Sequence, residues 1–351
     1  MVRKIKKKKS GIRIFAAFLL MVGMAAFVYI TLGNHHIFEV PPSIEPDLSV
    51  EANPTSPTAA LPGQFPVTFP DQGESAVGTE NFGVIASTPN QTPVPIASVT
   101  KIMTAYLVLK AHPLQPGEDG PILTMNVQDV SDYQNDLSKG YSILKVKQGE
   151  QLTEKQLLEG LMLPSGDNIA STLGRWVSGT EDAFAAKMNA TAQSLGMTKT
   201  HYADASGVSP ATVSNAEDQI KIAQAAMENP VFREKVAMPQ ATLPVAGTVF
   251  NVDTMLGKHG IVGIKTGSTT LAGGCFVSAT PVVVGDETHY IIGAVLGQKS
   301  LQSALDANAE ILDQVRSEFK LYDSPAESQK ALLQSEHVKR NLPKRTQKIK
   351  R

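Results

Sequence analysis

Residues 95–110 read Pro95-Ile96-Ala97-Ser98-Val99-Thr100-Lys101-Ile102-Met103-Thr104-Ala105-Tyr106-Leu107-Val108-Leu109-Lys110. Behind the turn-like Thr88–Pro95, apolar residues recur at helical spacing from Ile102 to Leu109, which predicts a helix over Ser98–Lys110. Ser98 and Lys101, three apart, then share one face of that helix. A serine is a poor nucleophile until a base takes its proton, and a neutral amine against the hydroxyl can do this. A helix start also leaves backbone N–H groups free to bind a developing oxyanion. The plain alternative for Ser98 is a helix N-cap.

The spacing alone is weak, because Ser142/Lys145 and Ser317/Lys320 repeat it. Tyr141–Lys147 has no helical apolar face and reads as an exposed strand before a Gly turn, and Lys320 ends the last predicted helix, where the dipole favours a cation anyway. Two further patterns give Ser98 its context. Leu161-Met162-Leu163-Pro164-Ser165-Gly166-Asp167-Asn168 places a hydroxyl, a carboxylate and an amide on a tight turn between two helices, where either a cap or a site is possible chemistry. Gly260-Ile261-Val262-Gly263-Ile264-Lys265-Thr266-Gly267-Ser268 reads as an apolar strand ending in a cation, a hydroxyl and a glycine that admits close approach of another backbone or a ligand.

Around these, a first strand is expected near Asn81–Ala86, where the globular region starts. Helices are expected over Gln151–Met162, Asn168–Val177, Glu181–Leu195, Asn215–Glu228 and Ser303–Leu321. Strands are expected over Gly260–Lys265, Gly274–Thr280 and His289–Gly297. Helices in the middle and strands at both ends predict a sheet made of sequence-remote parts.

Ile14–Leu32 is a run of 19 uncharged residues. As a helix it reaches roughly 28 Å, enough to span a bilayer. The basic residues before it would stay cytoplasmic, exporting the rest. A cleavable signal peptide is the rival reading, but no small-x-small site follows in Ile30–His36. Residues 34–72 are rich in proline and read as a spacer. The chain is thus divided into a basic cytoplasmic segment (1–13), a transmembrane signal anchor (14–33), the linker (34–72), a catalytic domain (73–322) and a polar, basic tail (323–351).

The formal net charge of −1 is a cancellation. Residues 1–13 and 339–351 each hold seven Lys/Arg and no acid, leaving 18 basic against 33 acidic groups between them, a net of −15. An acidic body would repel a phosphate backbone, so nucleic acid is excluded as a partner. The single cysteine, Cys275, allows no intramolecular disulfide, and no Cys/His spacing suits zinc; no metal and no cofactor are expected. Cys275 reads as a small buried strand residue and Trp176 as helix packing. His35 and His36 read as part of the solvated linker.

In their order, the three patterns resemble the S-x-x-K, S-x-N and K-T-G boxes of penicillin-binding proteins and class A β-lactamases. Over about residues 75–320 the chain more closely resembles the low-molecular-weight D-alanyl-D-alanine carboxypeptidases of the S11 peptidase family. Pro95–Ala105, Ser194–Gly207 and Gly263–Thr270 carry this likeness. The resemblance implies an α/β (α+β) fold of the β-lactamase/transpeptidase type, an antiparallel sheet flanked by helices with a helical subdomain. It also implies a penicillin-binding enzyme, inhibited by β-lactams, that removes the terminal D-alanine from peptidoglycan stem peptides. Ser98 would be the nucleophile, and Lys101 the general base, kept neutral by burial and by Lys265. Ser165 would relay the proton to the leaving amine. Lys265 and Thr266 would hold the terminal carboxylate beside Gly267, and the N–H groups of Ser98 and Ser268 would form the oxyanion hole.

One position departs from the family pattern. The third residue of the middle box is Asp167, with Asn168 next. Either Asp167 takes the amide's place, toward Lys101 or substrate N–H groups, or the turn presents Asn168. A carboxylate there would favour a charged Lys101. A β-lactamase-like hydrolase and a non-catalytic penicillin-binding sensor therefore remain alternatives. The family's frequent second β-rich domain and C-terminal amphipathic helix are not expected in the roughly thirty residues after the last helix, and the anchor is expected at the N-terminus instead.

Overall fold

The computed structural model describes residues 67–80, 82–284 and 287–320. The basic segment, the anchor, the linker up to residue 66 and the tail from residue 321 lie outside the described residues.

The strands are β1 Glu74–Thr79, β2 Gly83–Ser87, β3 Val94–Pro95, β4 Ile122–Thr124, β5 Gln151–Thr153, β6 Val213–Ser214, β7 Gln240–Leu243, β8 Gly247–Phe250, β9 Ile264–Thr269, β10 Gly273–Val284 and β11 Glu287–Gln298. The helices are α1 Lys101–Ala111, α2 Val127–Ser138, α3 Glu154–Met162, α4 Asp167–Ser178, α5 Glu181–Ser194, α6 Ala216–Met227, α7 Pro230–Val236 and α8 Leu301–Lys320. Five strands form one antiparallel sheet in the order β2-β1-β11-β10-β9, so the first and last thirds of the domain pair directly. Among the described residues no helix is long and apolar enough to cross a membrane.

Strand periodicity splits the core in two. Val77, Phe276, Ile291 and Val295 pack on one face of the sheet with Leu305, Ile311, Leu312 and Val315 of α8. Ala76, Val277, Ala279, Ile292, Ala294 and Leu296 face the other way and join the core of the helical region. At its centre stands α1, where Ile102, Met103, Ala105, Leu107, Val108 and Leu109 are all buried. A helix apolar on every side belongs inside, and α1 is packed among α3, α4, α5 and α6. Lys101, its first residue, is therefore driven into the interior.

Several expected boundaries move for identifiable reasons. The domain's first strand is β1, not the one near Asn81. All six β1 residues are buried although Glu74, Ser75 and Thr79 are polar, so the strand lacks an alternating signature. Gln151–Thr153 is a strand, because a reciprocal capping box between Thr153 and Gln156 starts the helix only at Glu154. The strand expected over Gly260–Lys265 begins four residues later, and Gly263 turns the chain at φ 131. Tyr141–Lys147 is not a strand, because the Asn168 amide pairs with the backbone of Leu144 in the place of a ladder partner. The polar α2 and the short α7 were not legible as helices; Asn126 and Asn229 cap them.

Candidate active site

Ser98 lies in a 3-10 turn, Ala97–Thr100, that runs into α1. No side chain caps either start, so the Ser98 hydroxyl is not an N-cap. Ala97 is held at φ 48, in the left-handed region that costs a residue with a Cβ. The neighbouring Gly207, at φ 85, presses on the same turn, where a Cβ would overlap the Ala97 carbonyl.

Lys101 is fully buried, and its Nζ has an acceptor in each of three directions: Ser98 Oγ at 2.8 Å, Asp167 Oδ1 at 2.6 Å and the Ser206 carbonyl at 3.0 Å. Three acceptors match the three donors of an ammonium. The Ser206 carbonyl is placed by a braced loop. The Asp204 carboxylate accepts from Ser206 Oγ at 2.8 Å, Gly207 N at 3.0 Å and Val208 N at 2.9 Å. The sequence offered Asp204 and Ser206 only as part of a family-like run; neither was assigned a part in the site.

At the second pattern, Asp167 is the residue that reaches the centre, as the first residue of α4, 5% exposed. Its N–H donates to Ser142 O at 2.8 Å. Asn168 is excluded from the site: its Oδ1 accepts from Leu144 N and its Nδ2 donates to Leu144 O, both at 2.9 Å, with no surface exposed. Ser165 turns the chain at φ 66, and its buried Oγ makes no hydrogen bond among the described residues. On α2, Asp136 is pushed up to about 6, first by burial and then by the Asp167 charge, which places a second carboxyl next to this cluster. Nothing in its local pattern had set it apart.

The polar end of the third pattern, Lys265–Ser268, lies within β9, at the sheet edge. Lys265 is 1% exposed, its Nζ donating to Thr266 O at 3.1 Å. Burial, and then the charge of Lys101, hold Lys265 down to about 7, against the pull of Asp167 and Asp253. Thr266 is buried too. A Cβ on Gly267 would stand 2.8 Å from Ser98 N and 3.0 Å from Ile96 O, so glycine is what lets β9 lie against the serine turn.

A cleft of about 400 Å³ opens beside Ser98. Asp167 and Ser268 also line it, with Lys139–Ser142 on one wall and Thr269–Leu271 on another. Lys101, Ser165, Lys265 and Thr266 are not among its lining residues. The two lysine amines are buried behind the wall, and of the Lys265–Ser268 stretch Ser268 is the residue that lines the cleft. Cys275 is buried with its thiol pushed up to about 12 by burial, which makes it inert, and Trp176 stacks on His112 at 3.7 Å.

A serine hydroxyl against a buried amine, at the mouth of a cleft beside an edge strand, defines an acyl-serine enzyme. The chain belongs to the D-alanyl-D-alanine carboxypeptidase family, peptidase S11, whose profile matches residues 76–300. It is 36% identical over 203 residues to a D-alanyl-D-alanine carboxypeptidase of Mycobacterium tuberculosis, covering 56% of this chain and 65% of that one. It is 33% identical over 266 residues to a D-alanyl-D-alanine carboxypeptidase of a Streptomyces species, covering 70% and 84%. The crystal structure of a Streptomyces DD-transpeptidase superposes with a TM-score of 0.62 at 28% identity, covering 72% of this chain and all of that one. The chain is a serine peptidase with the penicillin-binding, transpeptidase-type α/β fold, an antiparallel sheet with helices.

Proposed function

We propose that the protein hydrolyses the terminal D-alanyl-D-alanine bond of peptidoglycan stem peptides through an ester on Ser98. The observation that carries this reading is the 2.8 Å contact of Lys101 Nζ with Ser98 Oγ at the edge of the cleft. Ser98 Oγ attacks the carbonyl carbon while its proton passes to Lys101, which must be neutral at that moment. The oxyanion accepts from the N–H groups of Ser98 and Ser268. The C–N bond then breaks, and the departing D-alanine nitrogen takes the proton that Lys101 received. Water finally splits the ester and frees Ser98. Lys265, behind the wall, attracts the substrate's terminal carboxylate through space, while Ser268 touches it directly.

Asp167 supports one rival reading. The Lys101 amine is also tied to this carboxylate at 2.6 Å and so is not committed to Ser98 alone, which suits an acyl-serine sensor with little turnover. Release of D-alanine from diacetyl-L-lysyl-D-alanyl-D-alanine separates the two. The enzyme reading expects release by the wild type, and neither release nor covalent fluorescent penicillin on Ser98→Ala. Stable penicillin acylation with no D-alanine release would overturn it in favour of the sensor.

The same proposal places the domain outside the cytoplasm, anchored by residues 14–33 with the N-terminus inside. The uncharged run and the seven cations before it support this topology. Protease added to intact cells that fails to reach the catalytic domain would refute it.

A further inference from the structure

The carboxypeptidase reading leaves one wall of the cleft without a task. Lys139 closes α2 and Gly140 follows it at φ 70. The Lys139 N–H donates to Asn135 O and Asp136 O, and the Tyr141 N–H returns to Asp136 O at 2.9 Å. This tight turn fixes both side chains on the cleft, with Lys139 Nζ 5.7 Å from the centre of the Tyr141 ring. The wall is registered to the reacting centre, since Ser142 O accepts the N–H of Asp167. Behind it, Arg175 of α4 holds Asp129 of α2 at 2.8 Å.

Leu271, in the turn between β9 and β10, lines the same cleft and is 70% exposed; Tyr141 is 38% exposed. Two large apolar groups facing one cleft offer a grip for methylenes. Lys139 is the only cation lining that cleft among the described residues. It lies within no carboxylate's ion-pair distance there. Of the acids nearby, Asp167 is engaged by Lys101, and Asp136, which feels both Asp167 and Lys139, sits on the α2 side of the wall.

Resting on the carboxypeptidase reading, we propose that this wall selects the residue preceding D-alanyl-D-alanine. It takes a long aliphatic side chain ending in a carboxylate, its methylenes between Tyr141 and Leu271 and its carboxylate on Lys139. A solvent-facing ion pair of this kind corresponds to at most about fivefold in affinity.

The test compares N-acetyl-L-2-aminoadipyl-D-alanyl-D-alanine with its side-chain amide on the full-length protein. Two readouts are taken: protection of Ser98 from fluorescent penicillin, which needs no turnover, and D-alanine release. In the wild type the free acid is expected to protect at about one-fifth the concentration of the amide. In Lys139→Ala the two peptides should become equal, each read against that variant's own uninhibited acylation rate. Equal protection in the wild type, or a preference that survives Lys139→Ala, would each overturn the proposal. Absence of D-alanine release alongside an intact, Lys139-dependent preference would instead overturn the peptidase reading and leave this one standing.

Discussion

Replacing Gly267 by alanine tests whether the site depends on how closely β9 approaches the serine turn. The added Cβ would lie 2.8 Å from Ser98 N, 3.0 Å from Ile96 O and 3.1 Å from Ala97 Cβ. Two of these atoms are backbone and the third is fixed to it, so no rotamer change relieves the contact. Restoring an ordinary separation moves strand and turn apart by about 0.6 Å. Misplacement of about 1 Å costs on the order of a hundredfold in rate, so acylation should fall by about tenfold, or ~1.4 kcal/mol of barrier. Overpacking should also cost roughly 1–3 kcal/mol of stability. The assay is the second-order rate of fluorescent-penicillin acylation, measured well below the melting temperature. Gly78→Ala is the control: its Cβ would meet Gly83 O at 2.5 Å and Ile220 Cγ2 at 2.7 Å, away from Ser98. It should lose stability and keep its acylation rate. Acylation of Gly267→Ala within twofold of wild type, or an equal slowing in Gly78→Ala, would refute the reasoning.

Asp167→Ala strands the Lys101 amine in the interior and should cost about 3–5 kcal/mol in urea unfolding, whereas Asp167→Asn keeps an acceptor oxygen and should cost clearly less; equal, small losses would contradict the pairing. Lys265 titrates near 7 when folded and near 10.5 when unfolded, so between these values the unfolded chain holds the extra proton and stability should rise with pH. Lys265→Met should flatten that rise, and an unchanged slope would count against the burial of this amine. Glu154 is fully buried, its carboxylate oxygens accept no hydrogen bond, and burial pushes it up to about 7 from 4.5. Its stabilising contribution is complete below about 4.5 and is lost as pH rises through 7, so Glu154→Gln should melt several degrees above wild type at pH 8 and show no such gain at pH 4.5.

The sequence yielded the site where chemistry and periodicity coincide. Ser98 and Lys101 are legible because a helix sets their distance, and α1 reads as buried because it is apolar all round. Lys265 and Gly267 are legible as types, but their placement inside β9 depends on pairing with Val277 and Cys275 of β10, which no local pattern encodes. Asp136 and Lys139 escaped notice because α2 carries few apolar residues and is held by its Asn126 cap and by the Arg175 ion pair, both tertiary or terminal effects. The choice between Asp167 and Asn168 was open in sequence. It is closed by Leu144, whose backbone in an irregular segment claims the Asn168 amide on both sides.

That last contact explains why the departure from the family pattern is tolerated. With Asn168 fully committed to Leu144, only the first residue of α4 can face Lys101, and a buried ammonium there needs an anion or several dipoles. Asp167 supplies the anion, the Ser206 carbonyl a dipole, and Ser98 the third acceptor. Lys265 then carries the electrostatic cost of the cluster, since among the described residues its Nζ finds only a backbone carbonyl and the like charge of Lys101 pushes against it. A carboxylate docking in the cleft adds a further negative charge to those of Asp167 and Asp253. Substrate binding and protonation of Lys265 are therefore linked, and peptide affinity should weaken as pH rises above about 7 in the wild type but not in Lys265→Met. Isothermal titration of Ser98→Ala with the peptide across pH 6–9, with and without the second substitution, measures that linkage, and a flat profile in Ser98→Ala alone would remove Lys265 from substrate binding.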